Sequence, residues 1–178
     1  MTDERQGVGL WAALERLPRG AGVVFRHYAT SGAERRALFA RILRVARRRG
    51  LVLVRGGDVA FLGEQGVHGR RGMGLVTWSA HDRAQAIDGV RAGAEVLFVS
   101  PLFTTRSHPG QSPVGPLRAA TLARGLAVTV IALGGMDERR FARIGKLGFD
   151  GYAAIDGWDG AARSLARATY QKRKAVPT

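Results

Sequence analysis

The sequence predicts an α/β fold of the TIM-type (β/α)8 barrel kind, with a truncated first strand. Short β-branched runs alternate with alanine- and arginine-rich helical patterns. Strands that read as buried on both faces and are separated by helices imply a parallel sheet. The repeating units are short, roughly 20 to 25 residues each, which suits a small barrel whose βα loops hold the site. Seven strands are countable after the N-terminus, so an open doubly wound sheet is the alternative.

The elements follow in order. Residues 22–26, GVVFR, form the first strand candidate. In 34–49 the residues Leu38, Phe39, Ile42, Val45 and Ala46 make one helical stripe, with Arg41, Arg44 and Arg48 on the opposite, solvated face. Strands are expected at 51–54, 66–68 and 74–79. A helix over 82–92 carries Ala84, Ile87 and Val90 at helical spacing. The run EVLFVS (95–100) is a continuous apolar strand. Pro116 marks a helix start and Gly125 lies just past its end. A strand at 127–135 precedes Asp137, placed to cap a helix bearing Phe141, Ile144 and Leu147. Residues 151–155 give the last strand, and a final helix runs to about residue 170. The segment 171–178 is expected to fray.

The chain of 178 residues suits one domain over 1–178, and no repeat or linker interrupts it. It has no cysteine, which excludes disulfides and thiolate metal sites. No apolar run is long enough for a bilayer and MTDERQGVGL does not read as a signal peptide, so no membrane partner and a cytoplasmic location are expected. The net charge of +14, nearly all of it arginine, attracts anions. Aromatics are only 7% and the arginines do not alternate with stacking rings, so nucleic acid is not the expected partner. Phosphorylated small molecules are.

The stretch VSPLFTTRSHPGQSPVGP, residues 99–116, turns from a buried strand into hydroxyls, an arginine and a histidine between Gly and Pro. Together with Ala132-Leu133-Gly134-Gly135-Met136, Gly66-Val67-His68, Ser79 and Arg26, it resembles the thiamine phosphate synthase and TenI-like family. The resemblance is strongest over 74–155 and weak over 27–66. It implies a barrel that joins a hydroxymethylpyrimidine diphosphate to a thiazole phosphate and releases pyrophosphate. The alternative is a barrel that binds a phosphorylated ligand, or regulates, without turnover. A homodimer is compatible with the family.

The resemblance implies roles residue by residue. Arg26, Ser79, Thr105, Ser107 and His108 are the substrate-binding candidates, and Gly134 and Gly135 the phosphate-binding ones. Ser79 either meets a pyrimidine amine or caps the helix near Asp82. Gly134-Gly135 either face an anion or make an ordinary tight turn. Thr105 and Ser107 either meet a diphosphate or satisfy their own loop. His68 either serves the site or is a satisfied core histidine. His27 should point outward, and His81 should be a surface residue of its helix's first turn.

The sequence also departs from the family. Val24 and Tyr28 replace its Gln and Lys beside Arg26. Val54-Arg55-Gly56 stands where its Asn-Asp-Arg holds magnesium, and Gly69-Arg70-Arg71-Gly72-Met73 contains no carboxylate. Magnesium is therefore expected from the family while its ligands are not found, and no metal-ligating residue is assigned. No catalytic residue is assigned either. Arg55, Arg70 and Arg71 are added to the phosphate-binding candidates, since guanidinium groups grip phosphate oxygens. With Arg26, Arg106 and His108 they would make a metal-free anion pocket. Asp156 replaces a family Ser beside the phosphate cradle. Pro101 stands where TenI-like enzymes carry a histidine, which disfavours thiazole tautomerase activity.

Met1-Thr2-Asp3-Glu4-Arg5 resembles only the end of the family's first strand, so residues 1–5 are expected to be its remnant. Either the chain starts further upstream or a partner chain covers the gap, because open edges are costly.

Overall fold

The computed structural model describes residues 1–105 and 112–155. Seven strands form one parallel sheet in sequence order: β1 (Gly22–Phe25), β2 (Val52–Gly56), β3 (Gly66–His68), β4 (Leu75–Ala80), β5 (Val96–Val99), β6 (Thr129–Ala132) and β7 (Gly151–Tyr152). Every neighbouring pair is parallel, so all strand C-termini meet at one end, the mouth.

The remnant of a first strand is shorter than residues 1–5. The Thr2 amide donates to Val24 O in β1 (2.8 Å) and the Met1 nitrogen to Ala154 O just beyond β7 (3.0 Å). Two residues thus lie between the edge strands and satisfy a carbonyl of each, while Glu4–Gln6 already turn as a 3-10 helix capped by Asp3. The sheet is a seven-stranded curled one of barrel type.

Helix α1 (Gly9–Arg16) was not anticipated by the sequence reading, although Leu10, Ala13, Leu14 and Leu17 keep a helical spacing and are all buried. It packs on α2 (Gly32–Arg49), whose Phe39, Ile42 and Ala46 are buried as expected while Arg41, Arg44 and Arg48 face solvent. Phe25, Phe39 and Phe61 form a three-ring core here, Phe39 stacked on Phe61 at 4.4 Å and edge-on to Phe25 at 5.3 Å. Full burial of each ring contributes roughly 1.5–3 kcal/mol.

Helix α3 (Arg83–Arg91) turns a partly different face inward from the one expected. Ala86 and Gly89 are buried, Val90 packs half-buried on the same core as expected, and Ala84 is exposed. The cause is Trp78 of β4: a Cβ at Gly89 would lie 2.8 Å from its ring, so only glycine lets the helix approach. Asp82, rather than Ser79, caps α3 by accepting from the Gln85 amide (2.8 Å). Helix α4 (Pro116–Leu122) opens on its proline. Helix α5 (Glu138–Ile144) is capped by Asp137, which accepts from the Arg140 amide (2.8 Å). Leu97, Val99, Ala132, Leu122 and Ile144 belong to the second core, under these helices.

No helix follows β2 or β3. Residues 57–65 and 69–74 cross back as turns, with Phe61 filling the place of a helix in the first core. Among the described residues no helix is long and apolar enough to cross a membrane. The expected final helix and tail fall in 156–178, outside the described residues.

Candidate functional site

Alternation along the strands decides which side chains enter the barrel. Val23 and Phe25 pack outward on α2, so Val24 and Arg26 point in. Trp78 packs outward on α3, so Thr77 and Ser79 point in. His68 ends β3 and turns in, with its ring edge-on to Phe98 of β5 at 5.7 Å. The interior at the mouth is therefore polar on one side and aromatic on the other.

His68 is the hub. Its Nδ1 lies 2.9 Å from Thr77 Oγ1 and its Nε2 3.3 Å from Ser79 Oγ. Burial, with the positive charge of Arg26 adding to it, pushes its pKa from 6.5 down to about 4. The imidazole is thus neutral at pH 7. Arg26 enters from β1: its amide donates to Thr2 Oγ1 (3.0 Å), and its guanidinium approaches Met1 Sδ and the Tyr28 ring. No ion pair with a carboxylate among the described residues neutralises it. Arg26 thus acts on His68 through its charge, and Ser79 lies against the same ring.

The other guanidinium candidates do not converge there. Arg55 points outward and is buried, its Nε 2.8 Å from Glu64 and its Nη1 on Gly57 O. Arg70 pairs with Asp58 at 2.5 Å. Arg71 donates to Arg91 O (2.7 Å), at the end of α3 farthest from the mouth. Each of Arg55, Arg70 and Arg71 is thus engaged by a protein partner, Arg55 in the outer wall and Arg70 and Arg71 at the exposed surface.

Gly134 and Gly135 sit at the mouth after β6 with φ of 94° and 62°. Leu102 N donates to Leu133 O (2.9 Å) and Phe103 N to Gly134 O (3.1 Å), zipping this turn to the loop after β5. A Cβ on Gly134 would lie 2.8 Å from Pro101 Cα, and one on Gly135 2.6 Å from Thr104 O. The glycines are required by this close approach of two loops, and among the described residues the zipper's donors are the amides of Leu102 and Phe103. Thr105 continues the same rim, partly buried. Arg106, Ser107 and His108 lie outside the described residues, as does Asp156.

Some functional residues escaped the sequence reading. Thr77 is 2% exposed and polar, two positions before Ser79 and so on the same face, which is the signal that was there to find. Arg35 of α2 is also buried, donating to His27 O and Gly56 O at 2.7 Å each and so tying the ends of β1 and β2. His27 stacks on Phe25 outside the barrel, as expected. His81 is exposed but anchored, its Nδ1 2.7 Å from Ser100 O.

The described residues do not assemble a magnesium site. Arg55 points to the outer wall, residues 69–73 contain no carboxylate, and no group of three or more His, Asp or Glu among the described residues is placed to hold a metal ion.

The structure is a parallel α/β protein whose curled, barrel-type sheet carries polar side chains at its mouth. The chain belongs to the thiamine monophosphate synthase family, whose model matches residues 67–157. It is 30% identical over 82 residues to a thiamine-phosphate synthase of Chloroflexus aurantiacus, covering 46% of this chain and 38% of that one. It is 32% identical over 81 residues to a putative thiamine-phosphate synthase 2 of Aquifex aeolicus, covering 46% and 44%. The matches therefore span less than half the length of these relatives. Its fold resembles that of a thiamine phosphate pyrophosphorylase from Pyrococcus furiosus, with a TM-score of 0.74 over 90% of this chain and 85% of the other at 18% identity.

Proposed function

We propose that this protein acts in thiamine biosynthesis as a thiamine phosphate synthase-type transferase, joining a hydroxymethylpyrimidine diphosphate to a thiazole phosphate with release of pyrophosphate. One observation carries the reading: in a chain of this family, His68 lies against Thr77 and Ser79 at the strand ends and feels the charge of Arg26. A half-buried guanidinium with no ion-pair partner among the described residues attracts a diphosphate, and its effect grows with the charge that develops as the bond to pyrophosphate breaks. Ser79 meets the polar edge of the pyrimidine, and the apolar Phe98 faces its ring. The amides of Gly134 and Gly135, with Thr105, Ser107 and His108 on the neighbouring loop, receive the second phosphate. No step is routed through a metal, since the described residues do not assemble a site for one.

A second reading is a barrel that binds a phosphorylated precursor without turnover. Arg55 favours it, because it stands where the family resemblance places a carboxylate that holds magnesium, and it is engaged by Glu64 instead. The two readings separate in a coupling assay with both precursors, read as thiamine phosphate formed, with magnesium and with chelator. Product unchanged by chelator supports transfer without a carboxylate-held metal. Product only with magnesium would mean that ligands exist outside the residues described. No product from folded protein leaves the binding reading.

A further inference from the structure

We infer that His68 is a positioning residue that fixes the Ser79 hydroxyl as a hydrogen-bond acceptor toward the mouth, so that the barrel selects a ligand edge carrying an N–H donor. The ligand's chemistry rests on the function proposed above; the hydrogen-bond direction does not.

The direction of each hydrogen bond follows from the protons available. Thr77 has one hydroxyl hydrogen, and Val67 O lies within reach of its Oγ1 at 3.5 Å, a long contact but an address inside the wall. With that proton directed to Val67, Thr77 Oγ1 offers only lone pairs to the imidazole nitrogen 2.9 Å away. His68 then carries its hydrogen on Nδ1. The ring is neutral at pH 7, so Nε2 is bare. A bare Nε2 at 3.3 Å takes the Ser79 proton, which leaves Ser79 Oγ with lone pairs alone on its other side. A donor on the ligand completes the chain. An acceptor would face another acceptor in a half-buried place, and the unpaired group would cost affinity. Phe98 holds the ring edge-on and fixes the orientation on which the relay depends. Nothing in this chain requires His68 to exchange a proton, so its role is to set polarity.

The test reads the tautomer first. In the ¹⁵N-labelled full chain at pH 7, the His68 signals are identified by their loss in His68→Gln. The expected result is a protonated Nδ1 and a bare Nε2; a protonated Nε2 overturns the inference. The second arm compares binding of the aminopyrimidine diphosphate with that of its analogue lacking the exocyclic amine. The wild type should favour the amine by about tenfold. His68→Gln, whose amide oxygen can still accept from Ser79, should keep most of that preference, and His68→Leu should lose it. Equal affinity of the wild type for both probes also overturns the inference. If the tautomer is as expected but neither probe binds, the relay stands and the proposed ligand is what fails.

Discussion

Arg55 Nε lies 2.8 Å from both carboxylate oxygens of Glu64, in an ion pair that is buried on the outer wall of the sheet. Glu64 also accepts from the Phe61 amide (2.8 Å), so one carboxylate ties β2 to the turn that replaces a helix. Position 55 is thereby a structural anchor. Removing Glu64 alone strands a buried guanidinium, and Glu64→Ala should cost about 3 kcal/mol in urea unfolding. A loss below about 0.5 kcal/mol, the level of a surface pair, would show that Arg55 is not anchored in this way.

His68 makes the fold sensitive to acid. Its pKa falls from 6.5 to about 4 on folding. Between those values the unfolded chain takes up a proton that the folded chain refuses. The contribution is therefore complete above pH 6.5 and is lost as pH falls toward 4, to a limit of roughly 3 kcal/mol. Urea midpoints measured from pH 7 to pH 4.5 should fall less steeply for His68→Gln than for the wild type. Parallel curves would contradict the burial of a neutral imidazole.

The zipper between the loops after β5 and β6 depends on Gly134. Its φ of 94° and the 2.8 Å approach to Pro101 Cα leave no room for a side chain. Gly134→Ala should cost about 2 kcal/mol. It should also weaken binding of inorganic phosphate, if these amides receive a phosphate. Unchanged stability would mean that the two loops separate without cost.

The sheet was legible because most of its strands are short runs rich in β-branched and apolar residues, and each of the seven expected runs overlaps a strand. Caps at Asp82 and Asp137 announced themselves by residue type, since a short carboxylate just before a helical pattern has one effective use. Helix α1 was hidden by the charges at its flanks, although Leu10, Ala13, Leu14 and Leu17 were spaced for it. The face of α3 was misread because the packing is set by a gap opposite Trp78, and hydrophobicity alone does not reveal a gap. The site was half legible. Strand ends pointed to Arg26, His68 and Ser79, whereas the destination of an arginine depends on partners far away in sequence. Arg55 finds Glu64, and Arg35 finds two carbonyls, neither of which a local pattern could announce.

The central claim is that the mouth around Arg26 binds a phosphorylated thiamine precursor. The most direct measurement is a calorimetric titration of the hydroxymethylpyrimidine diphosphate, with chelator present, into the wild type and into Arg26→Met. The account predicts binding to the wild type and at least about tenfold weaker binding to the variant, the loss expected of one charge-assisted contact. No binding to the wild type, or equal binding to both, would contradict it.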